Sequence, residues 1–263
     1  MKEYAAIYLS PHLDDAALSC GAQIYDRTAV GDPILILTIM AGEPPVAPLS
    51  PFAQALHTRW ELATDVVAAR REEDAAACAI LGAAYAHWDA PDCIYRRHPL
   101  TGESLYNSNA DIFGPVHAAE QALVAQLAAR LRQLPPHRAL YVPLGVGNHV
   151  DHQLVRVAAE QAAVAAEQAA GAGLIYYEDY PYTRWEAVTV RAIDPADARW
   201  QAQVTPVSAE GVAARIDAAA AFVSQTSTFF SDRADLEAQI WEEVNRVGGE
   251  QLWRCLATPP SQC

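Results

Sequence analysis

The sequence predicts an α/β fold: a Rossmann-like, doubly wound and mainly parallel sheet flanked by helices, three layers deep. Three observations predict it. Short runs that are apolar throughout recur between turn residues, as strands covered on both faces of a parallel sheet require. Segments with apolar residues near the 3.6-residue period lie between those runs. The two types alternate through about residue 177, which reads as βαβ units with right-handed crossovers.

The elements follow in order. "YAAIYL" (4 to 9) is the first strand, and "AALSCGAQIYDR" begins the first helix. "ILILTIM" (34 to 40) is the second strand, followed by a helix with Leu62, Val66, Ala69, Ala76 and Ile80 on one face. "AYAHW" (84 to 88) is the third strand, and Val116, Ala119, Leu123, Leu127 and Leu131 mark the next helix. "ALYVPL" (139 to 144) is the fourth strand, Leu154, Val157, Ala158 and Ala165 mark its helix, and "LIYY" (174 to 177) is the fifth strand. Beyond residue 180 the pattern loosens. "AVTVRAI" (187 to 193) is a candidate further strand, and 209 to 223 and 233 to 247 read as helices, the latter with Leu236, Ile240 and Val244 in one stripe. At 263 residues and 52% hydrophobic composition the chain reads as one domain, 1–263. In that reading the core spans about 1–180, and 181–263 packs a strand and helices on it. Two long connections, 41 to 57 and 90 to 114, carry Pro, Gly and aromatics and are expected to be functional loops.

Charge narrows the partners. Lys plus Arg number 18 against 32 Asp plus Glu, a net charge of -14, which opposes affinity for nucleic acid or anionic membranes. The N-terminus has no signal-like apolar core, and no run of about 18 apolar residues occurs; a soluble, cytoplasmic protein is expected. Five cysteines, Cys20, Cys78, Cys93, Cys255 and Cys263, lack paired spacing and are expected to be reduced.

The chemistry concentrates at two strand ends. "SPHLDDAALSCG" (10 to 21) puts His12, Asp14 and Asp15 after the first strand, and "GVGNHVDHQ" (145 to 153) puts a second polar cluster after the fourth. With strand order 3-2-1-4-5, strands one and four are neighbours whose helices leave toward opposite faces, so both clusters border one crevice. His149 and His152, three residues apart at a helix start, project from one side. Two imidazoles and a carboxylate, with positions left for water, suit an open zinc site, and a spare carboxylate can act as base. Taken alone, Asp14 or Asp15 is equally well a helix cap and each histidine a satisfied core residue. The conjunction at adjacent strand ends favours a shared metal site. A dinucleotide site is disfavoured, because this turn lacks G-x-G-x-x-G and sets two anions where a pyrophosphate would sit.

These motifs resemble the LmbE-like, or PIG-L, family of zinc-dependent N-acetylglucosaminyl deacetylases. Its "PHPDDE" signature appears as Pro11-His12-Leu13-Asp14-Asp15-Ala16, and its "HxDH" as His149-Val150-Asp151-His152. Segments 69 to 83 and 246 to 254 also look like family segments. The resemblance implies that His12, Asp15 and His152 hold zinc, that Asp14 is the general base, and that His149 stabilises the oxyanion or protonates the leaving amine. Leu13, Ala16 and Ala22 depart from the family pattern at positions that are not ligands. Two histidines and a carboxylate also suit Fe2+ or another divalent ion. Asp151 is either an outer partner of His149 or His152 or a helix-start acid.

The implied reaction removes an N-acetyl group from an N-acetylglucosamine-type conjugate, a small-molecule substrate. One rival is a related amidase for another N-acyl or thiol conjugate, and a second is a non-catalytic sugar- or nucleotide-binding protein. Candidate substrate contacts are Arg70 or Arg71, then Tyr95, Arg96, Arg97 and Tyr106 in the 92 to 114 loop, and Glu178, Asp179 and Tyr182 after the fifth strand. His57, His87, His98, His117 and His137 match no ligand spacing and are expected to be structural or exposed.

Overall fold

The computed structural model describes residues 2–60, 65–170, 173–184 and 192–256. Its sheet has seven strands in the order β3-β2-β1-β4-β5-β7-β6. Strands β1 (Ala6–Ser10), β2 (Ile34–Thr38), β3 (Ala84–His87), β4 (Leu140–Pro143) and β5 (Ile175–Tyr177) are mutually parallel. All five lie where continuous apolar runs predict them, and in the predicted order. The antiparallel pair β6 (Trp200–Thr205) and β7 (Glu250–Cys255) extends this sheet beyond β5.

Side-chain alternation builds the layers. Ile7, Leu9, Leu35 and Leu37 point to one face, where they meet α5 (Gln121–Leu131) and α6 (Val150–Ala170) through Leu127, Leu131, Leu154 and Ala158. Ala6, Tyr8, Ile34 and Ile36 point to the other. There they meet α1 (Asp15–Ala29), α3 (Val66–Ile80) and α7 (Ala209–Ala220) through Cys20, Ile24, Cys78 and Ala218. Helix α1 therefore leaves β1 toward one face and α6 leaves β4 toward the other, which opens the crevice between their starts.

Several expectations need correction. The 41 to 57 connection contains α2 (Pro51–Arg59), started by Ser50, whose side chain accepts the Ala53 N–H at 3.1 Å with Pro51 at the first helical position. The 90 to 114 connection contains α4 (Asn109–Ile112). The helix expected over 209 to 223 ends at Ala220 and gives way to α8 (Val223–Phe229), whereas α9 (Arg233–Val247) has its expected bounds. Val157 lies off the buried face of α6 and is exposed. Cys20, Cys78 and Cys93 are free and buried, but Cys255 is disulfide-bonded, because an odd count without paired spacing does not exclude a single bridge. Most of the candidate strand at 187 to 193 falls outside the described residues. No helix among the described residues is long and apolar enough to cross a membrane.

Candidate active site

The turn after β1 frees its carboxylates. Ser10 Oγ donates to the His12 carbonyl (2.6 Å) and accepts the Ala16 N–H (3.0 Å), so a serine occupies a helix-start donor that an aspartate would otherwise take. Asp14, at the cap position of α1, makes no side-chain capping bond. Its carboxylate instead lines a cavity of about 310 Å³ in the crevice.

Asp15 Oδ2 is the hub of the cluster. It accepts the His12 backbone N–H at 2.7 Å, lies 3.2 Å from His12 Nδ1, and lies 3.3 Å from His152 Nε2. Donors around one tetrahedral ion at ordinary Zn–N and Zn–O distances stand about 3.4 Å apart. Both distances from Asp15 Oδ2 match that separation. His12 turns its other nitrogen, Nε2, to Asp151 Oδ2 at 2.9 Å. His152 turns Nδ1 to Asp179 Oδ1 at 2.6 Å, and Asp179 Oδ2 accepts the Gly145 and Val146 N–H groups at 2.7 and 2.8 Å. With Nδ1 of His152 held by Asp179, Nε2 is the nitrogen left to face Asp15, and that atom is buried without a hydrogen-bond partner. A metal ion is the partner that such an atom fits.

His149 completes the group. Its ring centroid lies 4.8 Å from that of His12 and 5.3 Å from that of His152, and the three imidazoles each offer a nitrogen within 4.8 Å of the others. Its Nδ1 accepts the Asp151 backbone N–H at 3.3 Å, which leaves the proton on Nε2. The backbone before it has positive φ at Gly145, Gly147 and Asn148. At Gly147 (φ +86°) a Cβ would approach the Tyr182 ring to 2.8 Å, so only glycine fits there.

Burial, followed by the Asp15 charge, pushes the Asp14 carboxyl up to about 6 in the metal-free cluster. Burial also resists ionisation of Asp15, but His152 and His12 outweigh it and hold Asp15 well below the carboxylate range. His152 loses basicity by burial and regains more from Asp15 and Asp179, reaching about 9. Burial, with His12 next, pushes His149 well below its ordinary value and keeps it neutral.

The structure brings His12, Asp14, Asp15, His149 and His152 together at one cavity and adds Arg70 and Tyr182 to its wall. Arg70 is buried, with Nη2 3.9 Å from Asp14, Nε unpartnered and the guanidinium over the Trp60 ring. Other candidate contacts are placed elsewhere. Arg71 turns away to the Ala41 carbonyl (2.9 Å from Nε). Arg96 and Tyr106 are buried on Glu120, and Tyr95 bonds His57. Arg97 holds the Gly102 carbonyl and Glu178 accepts from Trp253. Asp179 supports His152 instead of lining the cavity, and Asp151 pairs with His12, not with the side chain of His149 or of His152. Each has a helix-end, loop or strand-end address that sequence alone reads as near the site, whereas direction depends on tertiary packing. The sequence reading missed the apolar wall from α2 and α8, Leu56, Trp60 and Phe229, because those helices were not anticipated. Of the other histidines, His57, His87, His98, His117 and His137, none lines this cavity.

A buried histidine–carboxylate cluster at the switch point of a doubly wound sheet defines the class as a metallohydrolase-like α/β protein. The family model described as PIG-L, GlcNAc-PI de-N-acetylase, matches residues 7–163, and the chain belongs to that family. It is 27% identical to a 2'-N-acetylparomamine deacetylase of Niallia circulans over 68% of this chain and 67% of that protein. It is 32% identical to a 2'-N-acetylparomamine deacetylase of Streptomyces fradiae over 67% of this chain and 57% of that one. The crystal structure of the zinc-inhibited form of teicoplanin deacetylase Orf2 superimposes with a TM-score of 0.80 at 27% identity, covering 96% of this chain and 97% of that one. All three are deacetylases.

Proposed function

We propose that this protein is a divalent-metal-dependent hydrolase that removes the N-acetyl group from an amino sugar within a larger conjugate. His12, Asp15 and His152 are the ligands, and zinc is the ion. The observation that carries this reading is the fully buried Nε2 of His152, which has no hydrogen-bond partner and faces Asp15, with the Asp14 carboxylate beside it in the cavity. The N/O donor set fits zinc. A bound ion would supply polarisation of the amide carbonyl and acidify water to about pKa 7.

The chain's own groups supply the rest. Asp14, raised toward neutrality, accepts a proton from the attacking water and can return it to the departing nitrogen. His149, neutral with its proton on Nε2, donates to the oxygen on which negative charge develops. The C–N bond breaks to give acetate and a free amine. Arg70, buried and under-paired, offers N–H donors to the sugar hydroxyls, and Trp60 and Phe113 offer ring faces. About 310 Å³ is at the small end for ligand sites and suits one sugar ring, with the remainder of the conjugate at the mouth. The names of the relatives support an N-acetylated aminoglycoside or glycopeptide-type substrate.

The test combines metal analysis with acetate release from a panel of N-acetyl sugar conjugates, including 2'-N-acetylparomamine, using wild type and Asp14→Asn. Metal-dependent acetate release by wild type and its loss in the variant are expected. A metal-loaded wild type that releases acetate from no N-acetyl sugar overturns the proposal. Release of a different acyl group would point to the related amidase, and ligand binding without turnover to the binding protein.

A further inference from the structure

We propose that Arg96, Glu120 and Tyr106 form a positioning device for the metal centre, acting on His12 through Asp151, so that the 90 to 120 connection sets ion affinity and does not grip substrate. The proposal rests on the reading of His12 as a ligand.

The chain of contacts runs inward without a gap. Tyr106 donates its hydroxyl to Glu120 Oε2 at 2.5 Å and receives the His117 N–H at 3.0 Å. Glu120 takes the other end of a fork from Arg96, whose Nη2 is 3.1 Å from Oε2 and whose Nε contacts Oε1. Arg96 Nη1 lies 2.5 Å from Asp151 Oδ1 and directs a hydrogen bond at the Pro91 carbonyl, 3.1 Å away. Asp151 Oδ2 accepts the Cys93 N–H at 3.0 Å and meets His12 Nε2 at 2.9 Å. Arg96, Glu120 and Asp151 are 6%, 3% and 0% exposed, so each charge has only its neighbours to answer it.

Two consequences separate this device from a substrate clamp. Every guanidinium nitrogen of Arg96 already has a protein partner, and Arg96 does not line the cavity. Asp151 is ion-paired with Arg96 through Oδ1 and takes the Cys93 N–H on Oδ2, the oxygen that meets His12 Nε2, and the two contacts together hold it there. With its proton held there, His12 must present Nδ1 to Asp15, 3.2 Å away. Glu120 keeps Arg96 from folding onto Asp151 alone, since one planar fork is shared between two carboxylates.

A purely structural ion network would hold the loop without affecting ion affinity, so the test separates the two. Wild type, Arg96→Lys and Glu120→Gln are stripped of metal, checked for folding by far-UV circular dichroism and thermal melts, and titrated with Zn2+ against a chromophoric chelator. Co2+ loading adds a ligand-field spectrum. The expected result is Zn2+ affinity weakened about 10- to 100-fold in Glu120→Gln, with a shifted Co2+ band and a folded metal-free protein. Arg96→Lys, which keeps the charge and loses the fork, should fall between it and wild type. If Arg96→Lys does not fold, Glu120→Gln decides. Wild-type affinity and an unchanged Co2+ spectrum in a folded Glu120→Gln, whatever its melting temperature, would overturn the inference and leave the proposed function standing. A wild type that binds neither ion would overturn both.

Discussion

Asp179→Asn tests the carboxylate behind His152 with almost no change of shape. In the native arrangement Oδ1 faces His152 Nδ1 at 2.6 Å and Oδ2 accepts two backbone N–H groups, from Gly145 and Val146. An asparagine amide has only one oxygen for these two jobs. If its oxygen faces His152, the NH2 confronts two N–H donors, and stranding them costs about 1–3 kcal/mol each. If its oxygen takes the backbone N–H groups, the NH2 faces His152 Nδ1, which must become an acceptor, so the proton moves to Nε2, the proposed ligand atom. The second arrangement costs less in the metal-free protein and is therefore expected there. Metal binding must then reverse it, and an affinity loss of about 10- to 100-fold follows, which is about 1.4–2.8 kcal/mol. Chelator-competition titration of wild type and variant measures this directly, and thermal melts of the metal-free forms should show the variant less stable, because Asp179 is one of the charges that raise His152. Equal affinities within about twofold in a folded variant would refute the tautomer argument.

Three other outcomes follow from the same geometry. Asp14→Asn should keep its metal and lower kcat for acetate release about 10²- to 10⁴-fold, whereas His149→Ala should also keep its metal and lower kcat with little change in KM, both read from metal analysis and steady-state assays. Removing the ion should destabilise the fold: occupancy at 100 times Kd is worth about 2.7 kcal/mol, and so chelation should lower Tm by about 5–10 °C and re-addition restore it. Gly147→Ala combines a left-handed conformation with a Cβ 2.8 Å from Tyr182, and urea melts should show a loss of about 2–4 kcal/mol.

The parallel half of the fold is legible because each of its strands is covered on both faces and so reads as an unbroken apolar run. Strands β6 and β7 are not legible by that signal. In β6, Trp200 is buried while Gln201 to Val204 are exposed, and an edge strand of that kind offers no continuous apolar run to find. Helices α2 and α8 are short, and only the Ser50-Pro51 start of α2 carried a local signal. The histidine–carboxylate cluster was legible for a different reason. His12, Asp14 and Asp15 follow one strand and His149 and His152 another, so topology alone brings them together. The side chains behind them were not legible, because Arg96, Tyr106 and Asp179 differ from substrate contacts only in the direction they point. That direction is set by Glu120, 24 residues beyond Arg96, and by the loop that Asp179 caps from 34 residues away.

Three imidazoles surround the crevice, and their outer nitrogens distinguish their roles. His12 and His152 each face a carboxylate there, Asp151 and Asp179, which fixes a proton on the outer nitrogen and leaves the inner nitrogen as the one a bound ion can take. The outer nitrogen of His149 faces a backbone N–H instead, and so must accept. Its proton is driven to Nε2, and burial above all, with the neighbouring imidazoles adding to it, keeps a second proton off. An imidazole in that state has a donor and no lone pair at Nε2, where its neighbour is the weakly bonding Cys93 sulfur at 3.9 Å. It is suited to hold developing negative charge and unsuited to ligate a cation, even though its ring is as close to His12 as the ring of His152 is. Proximity alone would admit all three histidines as ligands. Under the proposed function, the hydrogen bonds on the far side of each ring favour His12 and His152 as ligands beside Asp15, with His149 kept for the substrate.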